Sequence, residues 1–270
     1  MAKQAAKKPS IGRILVTNDD GIHAPGLKTL EKIAKTLSDD VWVVAPEQEQ
    51  SGAGRSLTLS DPIRVRKVSA RRFAVKGTPT DCVLMAVRQL MTDMPPVLIL
   101  SGVNRGQNIA DDVTYSGTIA AAMEGTALGI PSIALSQAYG FTGGAVLKWG
   151  TAEHFGPEVI RSLLAQGWPD NVLMNVNFPD MPHADVKGVR VTKQGKRDQS
   201  NLKIEEREDG RGHPYFWLGF NKVLSKPKQD TDLYAVYNGY ISVTPLHLNL
   251  SHTVTQKRLS ASLNMSFDHE

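Results

Sequence analysis

Ile14-Leu15-Val16-Thr17-Asn18-Asp19-Asp20-Gly21 is the stretch that decides how this chain folds. Ile14, Leu15 and Val16 form a short continuous apolar run, the pattern of a strand buried on both faces. A buried strand has no use for two carboxylates at its tip, so Asp19 and Asp20 mark its end. In an open parallel sheet, ligands bind in the crevice beyond the carboxyl ends of the strands. Two readings of the stretch stay open. Either the paired charges hold a cation between them, or they form a polar turn in which Asp20 or Asn18 caps the next helix.

Strands and helices alternate outward from this point. Leu27, Leu30, Ile33, Ala34 and Leu37 fall on one face of a helix over Leu27–Leu37. Val41–Ala45 is the next strand, closed by Pro46, and Ile63–Val68 with Phe73–Val75 reads as a hairpin. Pro79 and Thr80 introduce a helix over Asp81–Met91, Val97–Leu100 is an apolar strand, and an alanine-rich helix over Ile119–Leu128 leads to the strand Ser132–Leu135. A helix over 145–164 precedes the strand Val172–Val176. This order predicts an α/β protein: a Rossmann-like, mostly parallel sheet with helices on both faces. After Gly188 the pattern becomes β-rich, with strands expected at Val189–Thr192, Tyr215–Leu218 and Tyr240–Val243. Between them Lys196–Arg211 is too charged to be buried. It reads as a surface loop, with a hairpin or an arm toward a neighbouring subunit as the alternatives.

Composition narrows the class. Of 270 residues, 41% are apolar and 21% charged, as in an ordinary globular protein, and no window is apolar enough to span a bilayer. The stretch Met1–Ser10 carries three lysines and no apolar core, which argues for a flexible basic tail rather than a secretory signal. Cys82, the single cysteine, leaves no disulfide framework and suits the cytoplasm. It falls in an apolar helical pattern, where a buried structural thiol is expected. A net charge of +4 fits an anionic small substrate and does not by itself argue for nucleic acid.

Three more segments fall where the sheet's carboxyl edge is expected. Gln50-Ser-Gly-Ala-Gly-Arg-Ser-Leu57 has a small, polar centre in which Gly52 and Gly54 permit a tight turn. It lacks the context of a dinucleotide fingerprint, since it does not open a helix after the first strand. Ser101-Gly-Val-Asn-Arg-Gly-Gln-Asn108 places Asn104 between Gly102 and Gly106, as a ligand loop or as a plain turn. Tyr115-Ser-Gly-Thr118 opens a helix whose first N–H groups suit a phosphate, with Ser116 as a simple N-cap in either case. Every candidate metal ligand on this edge is an oxygen donor, which suits Mg²⁺ or Mn²⁺ rather than zinc.

With Gly77-Thr-Pro-Thr-Asp81 and Gly239-Tyr-Ile-Ser-Val-Thr-Pro-Leu246, these motifs resemble the SurE (survival protein E) family in the same order over residues 14–246. The resemblance implies a metal-dependent 5′-nucleotidase, also called a stationary-phase acid phosphatase. Such an enzyme hydrolyses nucleoside monophosphates, with short polyphosphate and 3′-nucleotides as side activities. By motif position it implies one divalent cation per subunit on Asp19, Asp20, Ser51 and Asn104. Catalysis would rest on Asp19, Asp20 and Asn104, and the phosphate would lie against Gly102, Asn104, Ser116, Gly117 and Thr118. It further implies a homodimer or homotetramer with exchanged C-terminal segments, without a nucleic-acid or membrane partner. The organisation expected is a tail over 1–11, a Rossmann-like catalytic core over 12–187, and an extension over 188–270 bearing an exposed arm and oligomerisation elements.

Adjacent strand residues point to opposite faces, so Asp19 and Asp20 can share one ion only if the chain turns there, as Gly21 permits. The ion would polarise the phosphoryl oxygens and lower the pKa of a bound water. The helix start at Ser116–Thr118 would stabilise the equatorial oxygens. Which aspartate activates water stays open. His23 is read either as a leaving-group acid or as a capping and packing residue, Arg105 either as a phosphate contact or as a surface residue, and Glu124 as structural. A metal-dependent sensor without turnover is a second class of function. A haloacid-dehalogenase-type enzyme is disfavoured because its Asp-x-Asp spacing is absent.

Overall fold

The computed structural model describes residues 10–140, 146–197, 202–220 and 226–265. The expected basic tail lies outside the described residues except for Ser10 and Ile11. A nine-stranded sheet forms the centre, in the order β3-β4-β2-β1-β5-β6-β7-β11-β8. Its strands are β1 (Ile14–Thr17), β2 (Val41–Pro46), β3 (Arg64–Ser69), β4 (Arg72–Lys76), β5 (Leu98–Arg105), β6 (Ser132–Gln137), β7 (Val172–Phe178), β8 (Val189–Val191) and β11 (Ile241–His247). The pairs from β4 through β7 are parallel, and antiparallel pairing occurs at β3 with β4 and at β11 with β7. The architecture is the expected α/β sheet. Two strands of the segment after Gly188 extend its far edge instead of standing apart from it.

The period-2 alternation of β1 explains the layers. Ile14 and Val16 face α1 (Pro25–Lys35) and α4 (Trp149–Gln166), packing with Leu27, Leu30, Ile33, Val159 and Ile160. Leu15 faces the other way, toward Cys82, Val83 and Ala121 of α2 (Pro79–Met85) and α3 (Gly117–Ala127). Cys82 is buried and burial pushes its thiol pKa up, as befits a structural residue. Helix α1 begins on Pro25, whose fixed φ suits the first turn. Its N-cap is Ala24, with no side-chain cap bond. Neither Asp20 nor Asn18 caps this helix, so the capping half of that reading fails, although the segment is a polar turn.

Several boundaries differ from the sequence reading. The helix expected over Asp81–Met91 is α2 followed by a wider turn, Ala86–Leu90, in which the Met91 N–H donates to the Ala86 carbonyl at 2.9 Å. Helix α4 starts at Trp149 rather than at 145, a position outside the described residues. Strand β5 does not stop at Leu100 but runs on to Arg105. Its pairing with β6 shifts between Ser101 and Asn104, so the supposed loop is an irregular strand end. The part of the charged stretch from Leu202 on forms one arm of a hairpin: β9 (Leu202–Glu208) pairs antiparallel with β10 (Pro214–Phe220), as a ribbon separate from the main sheet, and residues 198–201 lie outside the described residues.

Helix α1 lies on β5 through Gly26, where a Cβ would stand 1.9 Å from the Val103 carbonyl oxygen. Gly26→Ala must therefore push the helix off the sheet. We expect a loss of about 1–3 kcal/mol, the usual scale of overpacking, read as a lower melting temperature with an unchanged far-UV spectrum.

Candidate active site

The sheet's order reverses beside β1, since the chain passes from β1 to β2 on one side and later places β5 on the other. That switch point is where a parallel sheet opens a crevice. The ends of β1, β2 and β5 and the start of α3 all meet there.

Asp19 is buried at the centre. Its Oδ1 accepts the Thr118 hydroxyl at 2.5 Å, and its backbone carbonyl accepts the Gln50 N–H at 2.8 Å. A Cβ on Gly117 would come within 2.8 Å of the Asp19 Cβ, so glycine is what lets α3 begin against this side chain. Gly21, at φ +100°, makes the turn that follows Asp20, and Asn18 ties the turn by donating to the Gly21 carbonyl at 3.1 Å. Asp20 is half-buried, and its Oδ2 accepts the backbone N–H of Arg105 at 3.3 Å. The structure thus brings Asp19, Asp20, Gly117, Thr118 and the neighbour of Asn104 together.

The other expected residues sit as follows. Asn104 is half-buried and its amide N–H donates to the Gly106 carbonyl at 2.9 Å. Gly102, at φ +128°, has a packing reason of its own: a Cβ there would lie 2.1 Å from the Leu135 carbonyl oxygen. Ser116 is an N-cap, its Oγ accepting the Ile119 N–H at 3.1 Å. Ser51 is exposed and its hydroxyl donates to Glu49 at 2.9 Å, so no hydrogen bond joins it to the aspartates. Its loop is nevertheless tied to the site by Gln50 on Asp19, by the Gly54 N–H on the Tyr115 carbonyl at 3.2 Å, and by the Arg55–Glu124 ion pair at 2.9 Å. The last contact gives Glu124 the structural role expected of it. His23 is exposed and makes no hydrogen bond to either aspartate among the described residues. Arg105 is exposed, its guanidinium 5.6 Å from the Tyr139 ring centroid.

Two residues escaped the sequence reading. Glu49 stands near enough for its charge to raise the pKa of both aspartates. Asp81 closes a capping box with Thr78 and also accepts the Thr58 N–H at 3.1 Å and its hydroxyl at 2.6 Å. The Gly77–Asp81 motif therefore anchors the far end of the Ser51 loop. The capping box was legible as a pattern, but its second bond, to Thr58, depends on tertiary placement.

Electrostatically the site is short of positive charge. Burial, above all, raises the pKa of Asp19, against the opposing bond from Thr118. Burial and then the charge of Asp19 push Asp20 up to about 6. The crowded carboxylates and an oxygen-only donor set fit a hard divalent cation. Among the described residues no group of three or more His, Cys, Asp or Glu side chains could hold a metal ion, at this crevice or elsewhere, so a cation here would rest on the two aspartates and on neutral oxygens.

Fold and site together define an α/β protein with an acidic, oxygen-lined crevice at the switch point of its sheet. Residues 14–201 match the family model described as Survival protein SurE. The chain is 64% identical over 263 residues to the 5′-nucleotidase SurE of Parvibaculum lavamentivorans, covering 97% of this chain and 94% of that protein. It is 61% identical over 252 residues to the 5′-nucleotidase SurE of Caulobacter vibrioides, covering 93% and 96%. The crystal structure of the SurE protein from Aquifex aeolicus aligns with a TM-score of 0.81 at 38% identity, covering 92% of this chain and 98% of that one. The chain belongs to the SurE family.

The raised pKa of Asp20 has a definite sign. The folded protein holds this proton more tightly than the unfolded chain, so its stabilising contribution is complete below the ordinary value of 3.8 and is lost as pH rises through about 6. Without metal, Asp20→Asn should melt above wild type at pH 7.5, on the order of 2–4 °C allowing for solvent screening. The gap should close near pH 4 in a series of thermal melts.

Proposed function

We propose that this chain, a 5′-nucleotidase of the SurE family, hydrolyses nucleoside monophosphates with the help of one divalent cation, Mg²⁺ or Mn²⁺, held by Asp19, Asp20, Ser51 and Asn104. The observation that carries the reading is the aspartate pair. Two adjoining carboxylates crowd the switch point, and both aspartates are held above their ordinary pKa by burial and by neighbouring negative charge, that of Glu49 included. A cation there removes a repulsion that the fold does not otherwise relieve. The bond from Ser51 to Glu49 is compatible with this role, because a hydroxyl that donates keeps its lone pairs for a ligand. Asn104 is likewise oriented by its N–H bond to Gly106, which leaves its amide oxygen as the donor atom for a cation. When bound, the cation would supply Lewis-acid polarisation of the phosphoryl oxygens.

The remaining work falls to the chain itself. Ser116 occupies the Ile119 N–H and accepts the Ala120 N–H through its own carbonyl. The Gly117 N–H therefore has no partner within the helix, and it takes the phosphate at the positive end of α3, between Ser116 and Thr118. Gly102 keeps the β5 end close to β6, and Asn104 follows it at the phosphate. Asp19 is covered by Thr118 and Gly117, so we assign the water-activating role to Asp20, the more exposed of the two. A terminal phosphoryl group of short polyphosphate presents the same oxygens and is accepted by the same set. Among the described residues no helix is long and apolar enough to cross a membrane. We place the protein in the cytoplasm on the strength of its single buried thiol.

We further propose a homodimer or homotetramer that exchanges C-terminal segments. Strand β10 exposes Phe216, Trp217 (58%) and Leu218 (76%) in succession, on both faces of the ribbon. Helix α6 (Thr253–Leu263) buries none of its residues against the rest of the chain. Exposed apolar surface of this kind marks an interaction site. Light scattering should show wild type as a dimer or tetramer, and Trp217→Asp with Leu218→Asp should lower the mass.

The activity is tested by phosphate release from a panel of nucleoside monophosphates with Mn²⁺ or Mg²⁺, and then with EDTA. Release should require metal and should fall by about two orders of magnitude in Asp20→Asn and Asn104→Ala, the scale on which loss of one transition-state contact is felt. Full turnover in EDTA, or in Asp20→Asn, contradicts the proposal. Nucleotide binding without release with every metal would favour a sensor.

A further inference from the structure

We infer that Asp232 is a positioning residue for the phosphate-binding turn, fixing the connection between Asn104 and Ser116 from the far end of the chain. Asp232 opens α5 (Asp232–Tyr237) and is fully buried. Its Oδ2 accepts the N–H of Ala110, 122 residues away, at 2.8 Å. Its Oδ1 accepts the N–H groups of Gly195 at 2.9 Å and Leu233 at 2.8 Å. One carboxylate thus joins three backbone segments.

Ala110 is where such a hold is needed. It lies at φ +54°, a region that residues with a Cβ rarely occupy, and it is buried, so its N–H requires a partner. The residues before it are also held by side chains. The Asn108 N–H donates to Asn177 Oδ1 at 2.8 Å, and the Asn108 carbonyl accepts the amides of Asn175 at 2.8 Å and Asn177 at 3.1 Å. After Ala110 one tight turn, Ala110–Thr114, leads to Tyr115 and the Ser116 cap. That turn is bound again by Arg197, whose N–H donates to Asp111 at 2.7 Å and whose guanidinium pairs with Asp112. A buried carboxylate is a costly anchor if stability is all it provides. Three N–H bonds on one carboxylate give direction, and the backbone they direct carries Asn104 at one end and Ser116 at the other.

The functional consequence rests on the nucleotidase reading, whereas the clamp itself rests on geometry. Asp232→Asn keeps the shape of the side chain and turns an NH₂ toward one of the three donors. We expect amide hydrogen exchange over residues 110–118 to quicken by roughly tenfold or more, with β1 and β2 unchanged. The KM for a nucleoside monophosphate and the inhibition constant of inorganic phosphate should rise about fivefold or more as the turn loses its placement. A merely structural Asp232 would lower the folded fraction and leave local exchange, KM and phosphate inhibition as in wild type, and that result overturns the inference. If Asp232→Asn does not fold, wild-type exchange decides: Ala110 protected like β1 supports the clamp, and Ala110 exchanging as fast as Gly52–Gly54 refutes it. If wild type released no phosphate, the nucleotidase reading would fail while the exchange data still judged the clamp.

Discussion

Asp19 serves two loops at once. Its carbonyl accepts the Gln50 N–H at 2.8 Å and so fixes the start of the Ser51 loop. Its carboxylate accepts the Thr118 hydroxyl at 2.5 Å and so fixes the start of α3, which can come this close because residue 117 is glycine. Asp20, the next residue, takes the backbone N–H of Arg105 at 3.3 Å and adds the end of β5. Two consecutive residues therefore set the relation of three strand ends and one helix start. Parallel strands make this possible, because their carboxyl ends all emerge on one edge.

Such an arrangement stores repulsion. Burial raises both carboxyl pKa values, the charge of Asp19 raises that of Asp20 further, and the nearby Glu49 adds to the effect. The surrounding structure holds the pair together regardless: a capping box at Thr78 and Asp81 anchors the distal part of the Ser51 loop, and Arg55 ties that loop to Glu124 on α3. On the other side of the crevice, Asn175, Asn177 and Asp232 hold residues 108–110. Loops tied down by hydrogen bonds and ion pairs around an acidic centre suit a preorganised cation site.

The parts of this design visible in the sequence are those with a period or a pairing. β1, β2, β6 and β7 read directly as apolar runs, and Ser116 read as a cap. The end of β5 did not, because Ser101-Gly-Val-Asn-Arg has the composition of a turn. The strand continues through it by an irregularity centred on Gly102, which packs under the Leu135 carbonyl. The charge of Lys196–Arg211 excludes burial but not pairing, and β9 within it pairs through its backbone with the aromatic β10. Asp232 lies in no motif and in no element that the sequence predicts. Its bond to Ala110 spans 122 residues, and no local pattern encodes contacts at that range.

The proposed ligands Asp19, Asp20, Ser51 and Asn104 would hold one hard cation. Anomalous diffraction at the manganese edge, from crystals grown with Mn²⁺, tests this assignment most directly. One strong peak per chain is expected, within about 2.0–2.3 Å of oxygens from these four residues. A peak elsewhere, or no peak at a Mn²⁺ concentration that supports turnover, would contradict it.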